Sequence, residues 1–275
     1  MEKSQIKMQI EKAVDDARKK KPLAPSITNT VTVNLVANAQ LAVGGSAAMV
    51  YLPDEGEWCA ENGDAVYLNA GTLFPVYEET FPRTMKALHE NKTPWVLDPV
   101  GLGIGSLRTK LVSFCKDFPP TIVRANASEV IALSKLWGLS SSSSSEGPKG
   151  VDSVDSVLDA KDAAKALAKF IHGAVAVSGE EDFVTDGEVS VVSKGGSYLF
   201  EKITGAGCSL GGVCAVYSGV ANPFIAALTA TQIYNLAGKR AEKECSGPGS
   251  FQVKFLDELY NAAPSDVAEN PFDFA

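Results

Sequence analysis

"PWVLDPVGLGIGSLRTKLVSFCKDFPPTIVRANASE" (residues 94–129) contains the alternation that decides the fold. Residues 94–99 and 121–126 are short, almost continuously apolar runs, the pattern of strands buried on both faces. Between them "LRTKLVSFCKDF" carries apolar residues at helical spacing, and "ASEVIALSKLWG" begins the same pattern again after the second run. Strand, helix, strand is the βαβ rhythm of a parallel sheet covered by helices.

The rhythm extends in both directions. "AAMVYL" (47–52), "AVYLNA" (65–70) and "GAVAVSG" (173–179) read as further buried strands, with helices over "YEETFPRTMKALHEN" and "DSVLDAKDAAKALAKFIHG". After Ser178 the spacing tightens: "DFVTDG", "EVSVVSK" and "SYLFEKI" read as strands joined by "TDGE" and "KGGS" turns, an antiparallel meander beside the parallel sheet. Helices are expected again over 209–220, 223–244 and 251–262. "SSSSSEGPKGVDS" (141–153) has little to bury and reads as an exposed loop. No linker interrupts the pattern, so residues 1–275 are expected to form one domain of class α/β.

Composition narrows the function. A net charge of -8 argues against a nucleic-acid or anionic-membrane partner, since both select a basic face. The N-terminal segment is amphipathic and lacks the apolar core of a signal peptide, and no run is long and apolar enough to span a bilayer, which points to the cytoplasm. Five scattered cysteines without a CxxC pair form neither a disulfide framework nor a zinc site.

Three stretches carry chemistry. In "ITGAGCSLGGVCAVY" (203–217) a glycine turn opens a small-residue helix near Cys208. Helix N-termini expose unpaired N–H groups and a partial positive charge that favour a phosphate or a transferring phosphoryl group. Spacing alone equally allows a turn that only permits close packing. A P-loop is ruled out because no G-x-x-x-x-G-K-[ST] occurs, and a dinucleotide fingerprint fails on glycine spacing here and in "GLGIGS" (101–106). Asp98 closes one apolar strand; Arg124 closes another, with Asn126 in the turn and Glu129 entering the next helix. The carboxyl ends of strands are where open α/β sheets bind ligands. Two carboxylates there suit Mg²⁺ held through waters and substrate phosphates, with Arg124 neutralising nucleotide charge. Singly, Asp98 also fits a turn-forming residue before Pro99, and Glu129 an ordinary first-turn acid.

Seven blocks in order make the pattern specific: "SITNTVTVNLVANAQLAVGGSAAMV", "VLDPVGLG", "VRANASE", "KGVDS", "AVSGEEDFVTDG", "ITGAGC" and "GPGSF". From about residue 22 to 259 the sequence resembles the hydroxyethylthiazole kinases, thiamin-salvage members of the ribokinase-like superfamily. The resemblance implies a three-layer α/β/α sandwich and transfer of the ATP γ-phosphoryl group to the alcohol of 4-methyl-5-(2-hydroxyethyl)thiazole, with Mg²⁺. It also implies a homotrimer with sites between subunits. Carried over, it assigns Asn29, Met49 and Gly205 to the substrate, Arg124, Asn126 and Ser178 to ATP, and Asp98 and Glu129 to magnesium. Gly205, Ala206, Gly207 and Cys208 would form the anion hole, with Cys208 where most of the superfamily has an aspartate base. The helix N-terminus is expected to lower the Cys208 thiol below its free value of roughly 8.5, a bound triphosphate opposing this.

Two departures stand out. "LAPSITN" replaces the family's usual histidine and "CITN", and Ala125 replaces the glycine of "RGNASE". Other readings are a small-alcohol kinase acting on hydroxymethylpyrimidine, pyridoxal or a sugar, and an idle nucleotide-binding relative. The retained Asp98, Glu129 and glycine turn speak against the idle relative.

Overall fold

The computed structural model describes residues 1–139 and 157–275. The serine-rich stretch and the "KGVDS" block lie outside the described residues. In chain order the elements are α1 (Lys3–Lys20), β1 (Leu23–Ile27), α2 (Val33–Ala42), β2 (Ser46–Met49), α3 (Pro53–Asn62), β3 (Val66–Asn69) and α4 (Tyr77–Asn91). They continue with β4 (Trp95–Asp98), α5 (Ser106–Phe114), β5 (Ile122–Asn126), α6 (Ala127–Leu136), α7 (Val157–Ile171) and β6 (Ala174–Ser178). Last come β7 (Glu181–Thr185), β8 (Ser190–Lys194), α8 (Ala206–Ser218), α9 (Pro223–Glu244), α10 (Pro248–Asn261), α11 (Pro264–Glu269) and β9 (Phe272–Phe274).

Among the described residues nine strands join one sheet in the order β2-β1-β3-β4-β5-β6-β7-β8-β9. The first six are parallel and the last three antiparallel, as the change of rhythm after Ser178 predicts. Side chains alternate along a strand, so each strand feeds two cores. Tyr67, Val96, Ile122 and Ala176 pack with α1, α2, α8, α9 and α10 on one face. Leu68, Leu97, Val123 and Val177 pack with α3 to α7 on the other. Two residues further along, the same alternation puts Asn69, Asp98, Arg124 and Ser178 on the α8 side of the sheet, near its carboxyl edge.

Some expectations are corrected. The segment "SYLFEKI" (197–203) is no strand: Tyr198–Lys202 is a short 3-10 helix. Gly195 (φ 142°) and Gly196 (φ 81°) turn the chain off the sheet, and the place beside β8 goes to β9 from the far C-terminus. Strand β1 is hidden in the sequence because "LAPSI" holds a proline and a serine. Its membership is settled by parallel pairing to β2 and β3 on either side. Helices α2 and α3 are short and weakly patterned, and the sequence reading passes over both.

Helix α8 runs through the centre, and every residue from Ser209 to Ser218 is buried. It can press this close because two adjacent positions at its middle lack side chains. A Cβ at Gly211 would lie 2.5 Å from the Tyr67 ring, and one at Gly212 2.8 Å from Val36. Close packing delivers the N-terminus of α8 to the edge where β3, β4 and β5 end.

Candidate functional site

Gly205 makes the turn into α8. Its φ of +94° is left-handed, and a Cβ there would meet Thr32 at 2.8 Å, so conformation and space both require glycine. The first backbone bond of the helix runs from Ser209 N to Gly205 O, at 2.8 Å. The N–H groups of Ala206, Gly207 and Cys208 precede it, where a helix has no carbonyl of its own to offer.

Arg124 lies against this turn. A Cβ on Gly207 would stand 2.6 Å from both guanidinium Nη atoms. Nη2 donates to Ser178 Oγ at 3.0 Å, and Nη1 to Asp98 Oδ2 at 3.4 Å. Burial works against the arginine's charge, but Asp98 and Glu129 outweigh it and hold the guanidinium above its ordinary pKa.

Asp98 is fully buried. Its Oδ2 accepts from Tyr67 OH (2.9 Å) and Asn69 Nδ2 (3.2 Å) besides Arg124, while Oδ1 has no partner. Burial, aided by the Glu129 charge, pushes its pKa up to about 6 against the pull of Arg124. Glu129 closes a capping box: Oε2 accepts from Asn126 N, and Asn126 Oδ1 accepts from Glu129 N. Its Oε1 accepts from Gly101 N at 2.8 Å, which ties the loop after Asp98 to the start of α6. Glu129 thus acts as a first-turn acid that caps its helix, and it lies close enough to act on the charge of Asp98. Among the described residues, no three His, Cys, Asp or Glu side chains form a complete metal cage.

Cys208 is half-buried. Asn29 Nδ2 donates to its sulfur at 3.5 Å and to Asn69 Oδ1 at 3.0 Å, and Asn29 Oδ1 accepts from Thr32 N. The thiol departs from expectation. Burial, reinforced by the Asp98 charge, pushes it up, and Arg124 with neighbouring hydrogen bonds offsets only part of this. Desolvation thus favours the neutral thiol, opposite to what a helix start alone suggests.

The structure thus gathers Asn29, Asp98, Arg124, Ser178 and Gly205 to Cys208 at one edge. Asn126 ends β5 opposite Ser178 on β6, and Met49 ends β2, half-buried on the outermost strand. Beside Arg124 and Gly207 opens a cavity of about 620 Å³, whose walls include Ser178, Asp182, Tyr234 and Asn235. Sequence reasoning missed Tyr67, Asn69, Asp182 and Asn235. Asn69 closes an apolar strand as Asp98 does, a signal that would have found it; Tyr67 gives none, since a strand aromatic reads as core.

The sequence model of the hydroxyethylthiazole kinase family matches residues 14–264. The chain belongs to that family. The hydroxyethylthiazole kinase of Bifidobacterium adolescentis is 51% identical over 96% of this chain and 93% of its own length. That of Leptospira interrogans is 40% identical, covering 90% of each chain. Among solved structures, the hydroxyethylthiazole kinase of Pyrococcus horikoshii superposes with a TM-score of 0.86 at 28% identity, covering 97% of this chain and 98% of its own. A pyridoxal kinase from Staphylococcus aureus solved with ADP, at 16% identity and a TM-score of 0.59, shares the fold. The family members thus share the ribokinase-like architecture that the strand order displays.

Proposed function

We propose that the chain transfers the γ-phosphoryl group of ATP to the primary alcohol of 4-methyl-5-(2-hydroxyethyl)thiazole, with Mg²⁺, in thiamin salvage. One observation carries this reading: the N-terminus of α8 opens beside a buried Arg124–Asp98 pair, with a cavity large enough for a nucleotide next to it. Membership of the family supplies the acceptor. Phosphoryl transfer demands positioning and charge stabilisation above all, and these parts provide both.

The nucleotide occupies the cavity with its phosphates toward Arg124, Ser178 and the Asn126 turn. The N–H groups of Ala206, Gly207 and Cys208 face the charge that develops on the transferred group. Asp98 Oδ1, a buried acceptor without a partner, and the Glu129 carboxylate are hard oxygens suited to Mg²⁺ held through waters and phosphates. When bound, that ion neutralises charge on the phosphate oxygens.

The thiazole lies on the opposite side of the turn, between Asn29, Met49 and Gly205, with its alcohol toward Cys208. With burial favouring its protonated form, Cys208 keeps its own proton and positions the alcohol, fixed in turn by Asn29. In a loose transition state the alcohol becomes acidic only as the phosphoryl group arrives, and its proton can pass to an oxygen of the transferred group. A thioether such as Met49 packs well against a heteroaromatic ring.

Assembly is read from the lateral side of the sheet. Strand β2 is outermost and half-exposed, and Leu41, Leu52 and Trp58 in the segments that precede and follow it are exposed. A neighbouring subunit seated there, in a homotrimer, would complete the thiazole wall next to Met49. Among the described residues no helix is long and apolar enough to cross a membrane; we place the enzyme in the cytoplasm, with its ATP.

The test is ADP release from Mg·ATP with hydroxyethylthiazole, run beside hydroxymethylpyrimidine, pyridoxal and ribose, each with a control lacking acceptor. Turnover that depends on the thiazole is expected. Preference for another alcohol would move suspicion to the "LAPSITN" wall, and turnover with none would overturn the reading.

A further inference from the structure

The block "AVSGEEDFVTDG" (176–187) supplies the end of β6 and all of β7, yet of its residues only Ser178 has a role so far. Asp182 is the unexplained one. It lines a cavity assigned above to a polyphosphate, where an acid repels its ligand unless it holds something in place.

What it holds is the turn that carries Ser178. Asp182 accepts from Gly179 N through Oδ1 at 3.1 Å and from Asn235 Nδ2 through Oδ2 at 2.9 Å. Asn235 also donates to Ser193 Oγ at 3.0 Å. Ser193 donates to Gln232 Oε1, and Gln232 Nε2 donates to Asn270 O at 2.8 Å. On the other side, Ser178 Oγ accepts from Arg124 Nη2. A chain of hydrogen bonds therefore runs from Arg124 through the Ser178–Gly179 turn and Asp182 into α9 and β8. Each link pairs a donor with an acceptor, the condition under which a buried polar network rigidifies its surroundings.

We propose that Asp182 is a positioning residue for nucleotide binding, clamping the Ser178–Gly179 turn onto Asn235 so that Arg124 is held toward the phosphates. This rests on the nucleotide reading of the cavity. Its carboxylate belongs to the protein's own network and not to the ligand. Burial raises its pKa to about 6, and the hydrogen bonds from Asn235 and Gly179 oppose that rise.

The clamp predicts a rescue that direct ligand contact would not produce. In Asp182→Asn the new amide meets the Asn235 amide donor to donor, and Mg·ADP affinity measured by calorimetry should fall about tenfold, the size of one charge-assisted hydrogen bond. Hydroxyethylthiazole affinity without nucleotide should stay unchanged. In turnover assays the KM for ATP should rise more than kcat falls. Adding Asn235→Asp restores a donor–acceptor pair with the two groups exchanged, and Ser193 can turn to donate to the new carboxylate. The double variant should recover to within about threefold of wild type.

Unchanged Mg·ADP affinity in Asp182→Asn overturns the clamp, and so does a double variant no better than the single one. If Asp182→Asn does not fold, Asn235→Ala probes the same link from α9, with weakened Mg·ADP binding expected and unchanged binding fatal to the proposal. Wild-type protein that binds no Mg·ADP would refute the nucleotide reading itself, a separate failure.

Discussion

Gly207→Ala adds one methyl group, and its effect should change sign with the residue opposite. Gly207 lies in the first turn of α8, where alanine is intrinsically favoured by roughly 0.5–1 kcal/mol. The added Cβ, however, would stand 2.6 Å from Nη1 and Nη2 of Arg124 and 2.9 Å from its Cζ. The guanidinium cannot swing away cheaply, because it is buried and tied to Ser178 and Asp98. Overpacking of this kind costs typically about 1–3 kcal/mol, enough to outweigh the propensity gain.

Displacing Arg124 by close to an ångström also strains two hydrogen bonds to a group meant for phosphate. Losing about 3 kcal/mol of transition-state stabilisation corresponds to roughly a hundredfold in kcat/KM for ATP. The assay is a double-mutant cycle with Arg124→Ala, read by ADP release and by thermal unfolding. In wild-type background Gly207→Ala should lower the unfolding midpoint and turnover together. In Arg124→Ala, already crippled, the same change should cost less than about threefold in activity and leave stability equal or higher. Additive effects in the two backgrounds would refute the claim that glycine is required by the arginine.

Three further outcomes follow. Cys208→Asp, carrying the base common in the wider superfamily, should retain or raise turnover, whereas Cys208→Ala should lose about tenfold to a hundredfold; an inactive but folded and thiazole-binding Cys208→Asp would contradict the position assigned to the sulfur. Burial raises Asp182 to about 6 from the ordinary aspartate value of 3.8, so its protonated form is favoured by folding and that contribution is lost as pH rises from about 4 to 6. Asp182→Asn should therefore gain stability relative to wild type between pH 4 and 7, by at most about 3 kcal/mol, and a difference flat in urea titrations would count against a strained carboxylate. Charging the exposed β2 side with Leu52→Asp and Trp58→Asp together should lower the mass in sedimentation, and an unchanged mass would place any subunit contact elsewhere.

Much of the molecule was legible in its sequence for reasons that are local. Runs such as "PWVLDP" and "TIVRAN" announce buried strands because nothing else keeps apolar residues continuous over so short a length. Asp98 and Arg124 could be found because a polar residue at the end of such a run has the carboxyl edge of the sheet as its destination; Ser178 came from the family resemblance alone. Glycines 205 and 207 were readable as a turn, but the sequence left open whether they served packing or binding. In the fold both serve packing, since Gly205 clears Thr32 and Gly207 clears Arg124; binding at the same turn is what we propose.

Other features depended on contacts between distant segments. β1 escapes notice because "LAPSI" has poor strand character and exists by pairing on both sides, while "SYLFEKI" has good strand character and is excluded once β9, some seventy residues on, takes its place. The Cys208 thiol shows the same limit in its chemistry. Its sequence position at a helix start argues for a lowered pKa; the Asp98 charge and the surrounding burial, both supplied by other elements, reverse the sign. Asp182 and Asn235 are 53 residues apart and carry no motif together. The sequence by itself determined the layers, the edge proposed for binding and most residue types gathered there, because periodicity and turn chemistry are properties of neighbours. Which donors face which acceptors, and how far burial moves a proton, were decided by the tertiary structure, because hydrogen bonds and desolvation depend on what the rest of the chain brings alongside.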